Sequence, residues 1–114
     1  MKKPNNADRL RHILEAVERI ESHLDGYDKQ TFEADAKTQD AVVRQMEIIG
    51  EAATNLTRDL RSKNPQVEWQ IATAMRNRLI HGYFDVDAEI VWNTAQNDLP
   101  ILKTEVEKIL ENLT

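Results

Sequence analysis

The sequence predicts an all-α protein, an antiparallel bundle of four to five helices. Three observations carry this reading. Only three glycines and three prolines punctuate 114 residues, so turns are few. Apolar residues recur at the i, i+3, i+4, i+7 spacing of an amphipathic helix, and no run alternates as a half-buried strand does. Val, Ile, Leu and Phe together number 28, enough for one modest core in a single domain over residues 1–114.

Each element has its own signals. Leu10, Ile13, Leu14, Val17, Ile20 and Leu24 line one face of a first helix over 7–25. Asn5 or Asn6 can cap its start, and Gly26 stands where a C-terminal cap belongs. Thr31 to Asp35 reads as a connector or short turn. A long second helix is expected over 36–62, with Val42, Val43, Met46, Ile49, Ala53, Leu56 and Leu60 on its apolar face. Gly50 inside it implies tolerance or a close backbone neighbour. Asn64-Pro65 ends it, because a residue before proline is pushed out of helical geometry. A third helix over 67–81 puts Trp69, Ala72, Met75 and Leu79 on its apolar side and stops at Gly82. Asp87 caps a fourth helix. Pro100 kinks or divides that helix, and Asp98 could cap a separate last one. Ile101, Leu102, Val106, Ile109, Leu110 and Leu113 carry the final apolar face.

Composition narrows the function classes. There is no cysteine, which removes disulfides, a thiolate nucleophile and thiolate metal sites. The longest uncharged stretch is the eight residues from Ile90 to Asn97, far short of the roughly 20 that span a bilayer. The N-terminus lacks the apolar stretch of a signal peptide. A soluble, cytoplasmic protein with no membrane association is expected. Net charge is −5, yet it divides unevenly: −2 over residues 1–40, +2 over 41–84 and −5 over 85–114. An anionic substrate should therefore meet the middle of the chain. No glycine-rich phosphate loop is present, and neither Ser22 nor Ser62 lies in a nucleophile-elbow setting. His12, His23 and His81 are dispersed, and none has a Glu three residues before it, so no metal site is expected. His12 and His23 read as surface residues, and Trp69 and Trp92 as core.

Residues 76–87, Arg-Asn-Arg-Leu-Ile-His-Gly-Tyr-Phe-Asp-Val-Asp, carry more information. On a helix Asn77 and His81 are four apart and lie together nearly opposite the core stripe, with Ala74 a turn earlier. Arg76 is offset from His81 by about 140°. Gly82 lets the chain turn and bring Tyr83 near the same face. Arg is a forked anion donor, and His has the only unperturbed pKa suited to proton transfer near neutrality. Together they suit a phosphodiester. Geometry leaves a second reading open: a histidine before a glycine cap is a favourable helix C-terminus, and Arg76 and Arg78 are solvated.

The second helix adds a polar stripe of Arg44, Glu47, Glu51 and Asn55. Glu47 and Glu51 are like charges at i, i+4. Either Arg44 answers Glu47 on a solvated face, or an Arg or His from the third helix or another subunit relieves the pair.

Arg76, four residues, His81, one residue, Tyr83 resembles the R-x4-H-x-Y signature of HEPN domains, specifically the HepT-like toxins. The surroundings are similar too: Asp40 to Glu51, Pro65 to Trp69, Val91-Trp92 and Asp98-Leu99-Pro100, in order. The resemblance implies an HEPN-like bundle and a metal-independent endoribonuclease with no cofactor. Arg76 and His81 would be its catalytic pair. Asn77 would orient the histidine. Independently of the resemblance, Arg44, Glu47 and Glu51 of the polar stripe are candidate supporting residues. The resemblance further implies a homodimer whose two motifs face one cleft, with Ala74, Asn77 and His81 toward the two-fold axis. The partner implied is a minimal nucleotidyltransferase antitoxin of a type II/VII-like toxin–antitoxin pair, which would silence the toxin by moving AMP onto Tyr83. A different class also fits: a non-catalytic helical subunit that binds nucleotide or substrate for a nucleotidyltransferase.

Overall fold

A computed structural model describes the backbone of residues 3–78 and 86–113 and the side chains of residues 3–75 and 86–113. Among the described residues the chain is helical and has no strand. The helices are α1 (Asn6–Leu24), α2 (Lys29–Glu33), α3 (Ala36–Thr54), α4 (Arg58–Lys63), α5 (Trp69–Arg78), α6 (Ala88–Asn93) and α7 (Leu99–Leu113). A five-residue π-helical stretch, Thr94–Asp98, joins α6 to α7. The four longer helices α1, α3, α5 and α7 make the all-α bundle that the apolar periodicity predicts.

The starts of helices follow their caps. Asn5 accepts from the Asp8 amide at 2.8 Å, and the Asn5 amide donates back to the Asp8 carboxylate at 3.1 Å. This reciprocal box satisfies two amides that the first turn leaves without partners. Asp87 accepts from the Ile90 amide and starts α6. Past α1, Gly26 has φ +81, the left-handed region that glycine enters without a Cβ clash.

Three expectations need correction. Thr31 to Asp35 is not a plain connector. Asp28 accepts from the Thr31 amide at 2.8 Å while the Thr31 hydroxyl accepts from the Asp28 amide at 2.9 Å, and this box nucleates the short α2. α2 buries Phe32, whose ring meets Trp92 at 5.5 Å. Nor is the second helix continuous over 36–62. It ends at Thr54, and Thr57 caps a new helix by accepting from the Leu60 amide at 3.2 Å. The apolar stripe runs through the break, since Ala53, Leu56 and Leu60 are all buried. What stops α3 is long-range. Arg9 donates to the Asn55 carbonyl at 2.8 Å, and Asn6 both donates to the Thr57 hydroxyl and accepts from the Thr57 amide.

The third correction concerns Pro100. It does not divide the last helix, and Asp98 is not a cap. Asp98 lies inside the π-helical stretch, and the backbone is helical on both sides. The Leu99 amide bonds back to the Thr94 carbonyl, five residues away. The wider turn passes into α7 just before Pro100, which lacks the amide a continuous α-ladder needs. Leu99, Leu102, Val106 and Ile109 are buried, but Ile101 is 65 % exposed. It lies about 100° from Leu102, outside the buried stripe.

The core is one cluster. α3 is its centre: it packs on α1 and α5, and also meets α2 and α6, while α1 packs on α7. Lys103 of α7 reaches Glu21 of α1 at 3.0 Å, and the hydrogen bond and charge of Glu21 raise the lysine's pKa. Trp69 and Trp92 are half-buried and His12 and His23 exposed. Leu79 and the expected stop at Gly82 lie outside the described residues. Among the described residues no helix is long and apolar enough to cross a membrane.

Asp35 caps α3 and ties it to the preceding turn. It accepts from the Thr38 amide and from the Tyr27 and Thr38 hydroxyls. The Tyr27 hydrogen bond, then those of Thr38, hold its carboxyl below the usual range. Asp28 is lowered likewise, chiefly by Thr31. A depressed carboxyl pKa gives stability that is present above the unfolded pKa and lost as pH falls through the folded one. The melting temperature should therefore drop as pH falls below about 4. Asp35→Asn should lower it at pH 7 and flatten that acid slope; thermal melts from pH 7 to 2 compare the two. Met46, fully buried at the α3 core, sets a second expectation. Met46→Ala should cost about 2–5 kcal/mol in denaturant unfolding, whereas exposed Ile101→Ala should stay within about 0.5 kcal/mol.

Candidate functional site

α5 positions the start of the R-x4-H-x-Y motif. Its first residue is fixed by the Trp69 indole N–H, which donates to the Asn64 carbonyl at 3.0 Å. Asn64 in turn donates from its side chain to the Leu60 carbonyl. Ala72 and Met75, buried against the core, set the rotation of α5 on α3, and Ala74 is half-buried. Arg76 and Asn77 therefore follow directly on the last described buried anchor, Met75. Their side chains, and all of His81 and Tyr83, lie outside the described residues. Asp87 anchors the chain again at the start of α6.

The polar stripe of α3 is described in full. Arg44, Glu47, Glu51 and Asn55 line one open cleft of about 470 Å³, together with Ile48 and Ala52. Four residues at i, i+3, i+7 and i+11 share a helix face, and that face is left uncovered. The opposite wall is α1. It brings Arg9 and His12 to the cleft, with Pro4 at the end. Among the described residues, then, the arginine and imidazole beside Glu47 and Glu51 come from α1. The third helix's Arg76 and His81 side chains, the other expected source, lie outside the described residues.

Arg44 and Glu47 do not answer each other. No ion pair or hydrogen bond holds either side chain among the described residues. Arg9 differs: its hydrogen bond to the Asn55 carbonyl pins the guanidinium at the cleft wall, and the Asn55 side-chain amide donates to the Glu51 carbonyl at 2.8 Å. The cleft thus combines one fixed guanidinium, one free one, an exposed imidazole and two carboxylates, Glu47 half-buried and Glu51 exposed. Such a set can hold an anion and accept from a ligand's N–H groups at once.

Sequence reasoning set His12 aside and gave Arg9 no role. The available signal was their i, i+3 spacing on the flank of the Leu10 and Ile13 stripe. That signal means something only once α1 is known to pack on α3.

Comparison with known proteins adds a family. The model of a family described as ribonuclease HepT-like matches residues 13–109. "Probable ribonuclease HepT" of Thermococcus cleftensis is 41% identical over 94% of this chain and 97% of its own length. A candidate RNase of Caldanaerobacter subterraneus is 38% identical over 90% of this chain and 91% of its own. A candidate RNase of Methanocaldococcus jannaschii is 36% identical, covering 91% and 90%. No solved structure matches the chain.

Since no contact joins Arg44 to Glu47, their coupling in a double-mutant cycle should be near zero. Arg44→Ala, Glu47→Ala and the double variant, compared by urea unfolding, should give an interaction energy below about 0.3 kcal/mol. A coupling well above that would show that the two groups pair in solution.

Proposed function

We propose the chemistry from a plain premise: the chain belongs to the ribonuclease HepT-like family. On that premise it is a metal-independent endoribonuclease toxin. The observation that carries the reading is the R-x4-H-x-Y set of Arg76, His81 and Tyr83 inside the residues that the family model matches. The relatives' names support an RNA substrate.

The mechanism uses the substrate's own nucleophile. The ribose 2′-OH attacks the adjacent phosphorus, His81 moves the proton, and Arg76 stabilises the charge that builds on the phosphorane oxygens. The 5′-oxygen leaves with a proton. The products are a 2′,3′-cyclic phosphate and a 5′-hydroxyl, and no step calls for a metal or cofactor. Asn77 orients the imidazole. Arg44, Glu47 and Glu51 act as supporting residues. Two copies of the motif face one cleft in a homodimer, so each site lies near its mate.

Regulation acts on Tyr83. A minimal nucleotidyltransferase antitoxin transfers AMP from ATP to its phenolic oxygen and releases pyrophosphate. The adenylate puts a bulky anion beside Arg76 and His81, where the RNA phosphate must sit, and blocks by volume and charge.

Purified chain incubated with total RNA in EDTA tests the cleavage. Arg76→Ala and His81→Ala should each lower the rate by about 100-fold or more, with circular dichroism unchanged. Cleavage retained by both variants, or lost with chelator, sinks the mechanism. Light scattering should give twice the 13.2 kDa of one chain. Mass spectrometry after co-expression with the nucleotidyltransferase should place additions of about 329 Da on Tyr83. An inactive but unmodified chain would point to occlusion of the site instead. Growth arrest on expression of this chain alone, abolished by His81→Ala, would favour the toxin over the non-catalytic accessory subunit.

A further inference from the structure

The α1–α3 cleft brings together groups that have a chemistry of their own. At about 470 Å³ it falls in the size range of small-ligand sites. Its two arginines and two glutamates cancel in formal charge, so in a chain of net charge −5 it is a place where an anion meets no net repulsion. Arg9 is already pinned by the Asn55 carbonyl and loses little freedom when it binds. Arg44 and Glu47 stand three residues apart on α3 without closing on each other.

Free phosphate would use the arginines and be repelled by the carboxylates. A neutral ring would use the carboxylates and leave the arginines idle. A nucleotide uses both. Its phosphate takes the guanidinium forks, and its base offers N–H groups that a carboxylate accepts. Guanine has two such donors side by side on its Watson–Crick edge, adenine and cytosine have one amino group, and uracil has one ring N–H. Single-stranded RNA is read by splaying out a base and bonding these edges. His12 at the exposed rim can stack on the base.

We propose that this cleft binds one nucleotide unit of a single RNA strand, with guanine preferred: Arg9 and Arg44 hold the phosphate, Glu47 reads the base edge and His12 stacks on it. The proposal rests on the ribonuclease reading for its substrate, because α3 carries the cleft and α5, with Arg76, packs directly on α3. A strand cut at the motif thus runs on to a second contact on the neighbouring helix.

Nucleotide titrations of the full chain, followed by the His12 imidazole resonances and by calorimetry, test this. GMP should bind at least about tenfold more tightly than UMP, guanosine or inorganic phosphate, and should shift His12. Arg44→Ala should weaken all four mononucleotides by about tenfold with their order kept. Glu47→Gln should abolish the guanine preference. Both variants should keep the wild-type circular dichroism. A 2′-deoxy tetranucleotide carrying one guanine, which cannot be cut through a 2′-OH, should bind more tightly than GMP. Equal binding of the four nucleotides, phosphate binding as tight as GMP, an unmoved His12, or a strand that binds no better than GMP would each overturn the proposal. Arg76→Ala should leave GMP binding intact. If the wild-type chain cuts no RNA yet binds GMP and the strand with this pattern, the cleft stands and the ribonuclease reading falls.

Discussion

Burial of α3 between α1 and α5 is the constraint on which the rest of the molecule depends. Val42, Met46, Ile49 and Ala53 are fully removed from water on this one helix. Hydrophobic burial of that kind dominates the favourable side of folding. A helix covered on two sides has only a narrow strip left for polar groups, and in α3 that strip is the line from Arg44 to Asn55. The same packing sets the rotation of α5, through Ala72 and Met75, and so sets where Arg76 leaves the core. Core and cleft are two sides of one helix.

The ends of α3 show how local and distant interactions divide the work. Asp35 starts the helix with bonds from residues within eight positions of it. Its end is held from α1, more than forty positions away in sequence, by Asn6 and Arg9. The Arg9 guanidinium both satisfies an orphan carbonyl at a helix terminus and forms part of the cleft wall. A change at Arg9 would therefore touch helix termination and cleft chemistry together, which makes it a poor choice for separating the two.

The fold was largely legible because its signals are local. Asn5, Asp87 and Gly26 mark helix ends by their own chemistry, and the buried stripes of α1 and α3 follow the periodicity. The break between α3 and α4 was not legible, because Ala53, Leu56 and Leu60 keep the apolar rhythm across it. Only the contacts from Asn6 and Arg9 reveal that the backbone stops. The same holds for the cleft. One helix's sequence displays Arg44, Glu47, Glu51 and Asn55 as a stripe, but a wall supplied by another helix, His12 included, has no trace in that stripe. The R-x4-H-x-Y motif lies at the other extreme, since its spacing is readable with no fold at all.

The π-helical stretch before Pro100 has a consequence for how this chain can vary. α6 faces α2 and α3, whereas α7 faces α1, so the apolar stripe must swing round the helix axis between them. The wider turn over Thr94–Asp98 supplies that swing within an unbroken helix. Chain length there is as constrained as the identity of a core residue. One residue fewer would turn Leu102, Val106 and Ile109 through about 100° away from α1, although no side chain in the core had been altered. Loops absorb insertions and deletions; this stretch, which connects two helices as a loop does, counts its residues.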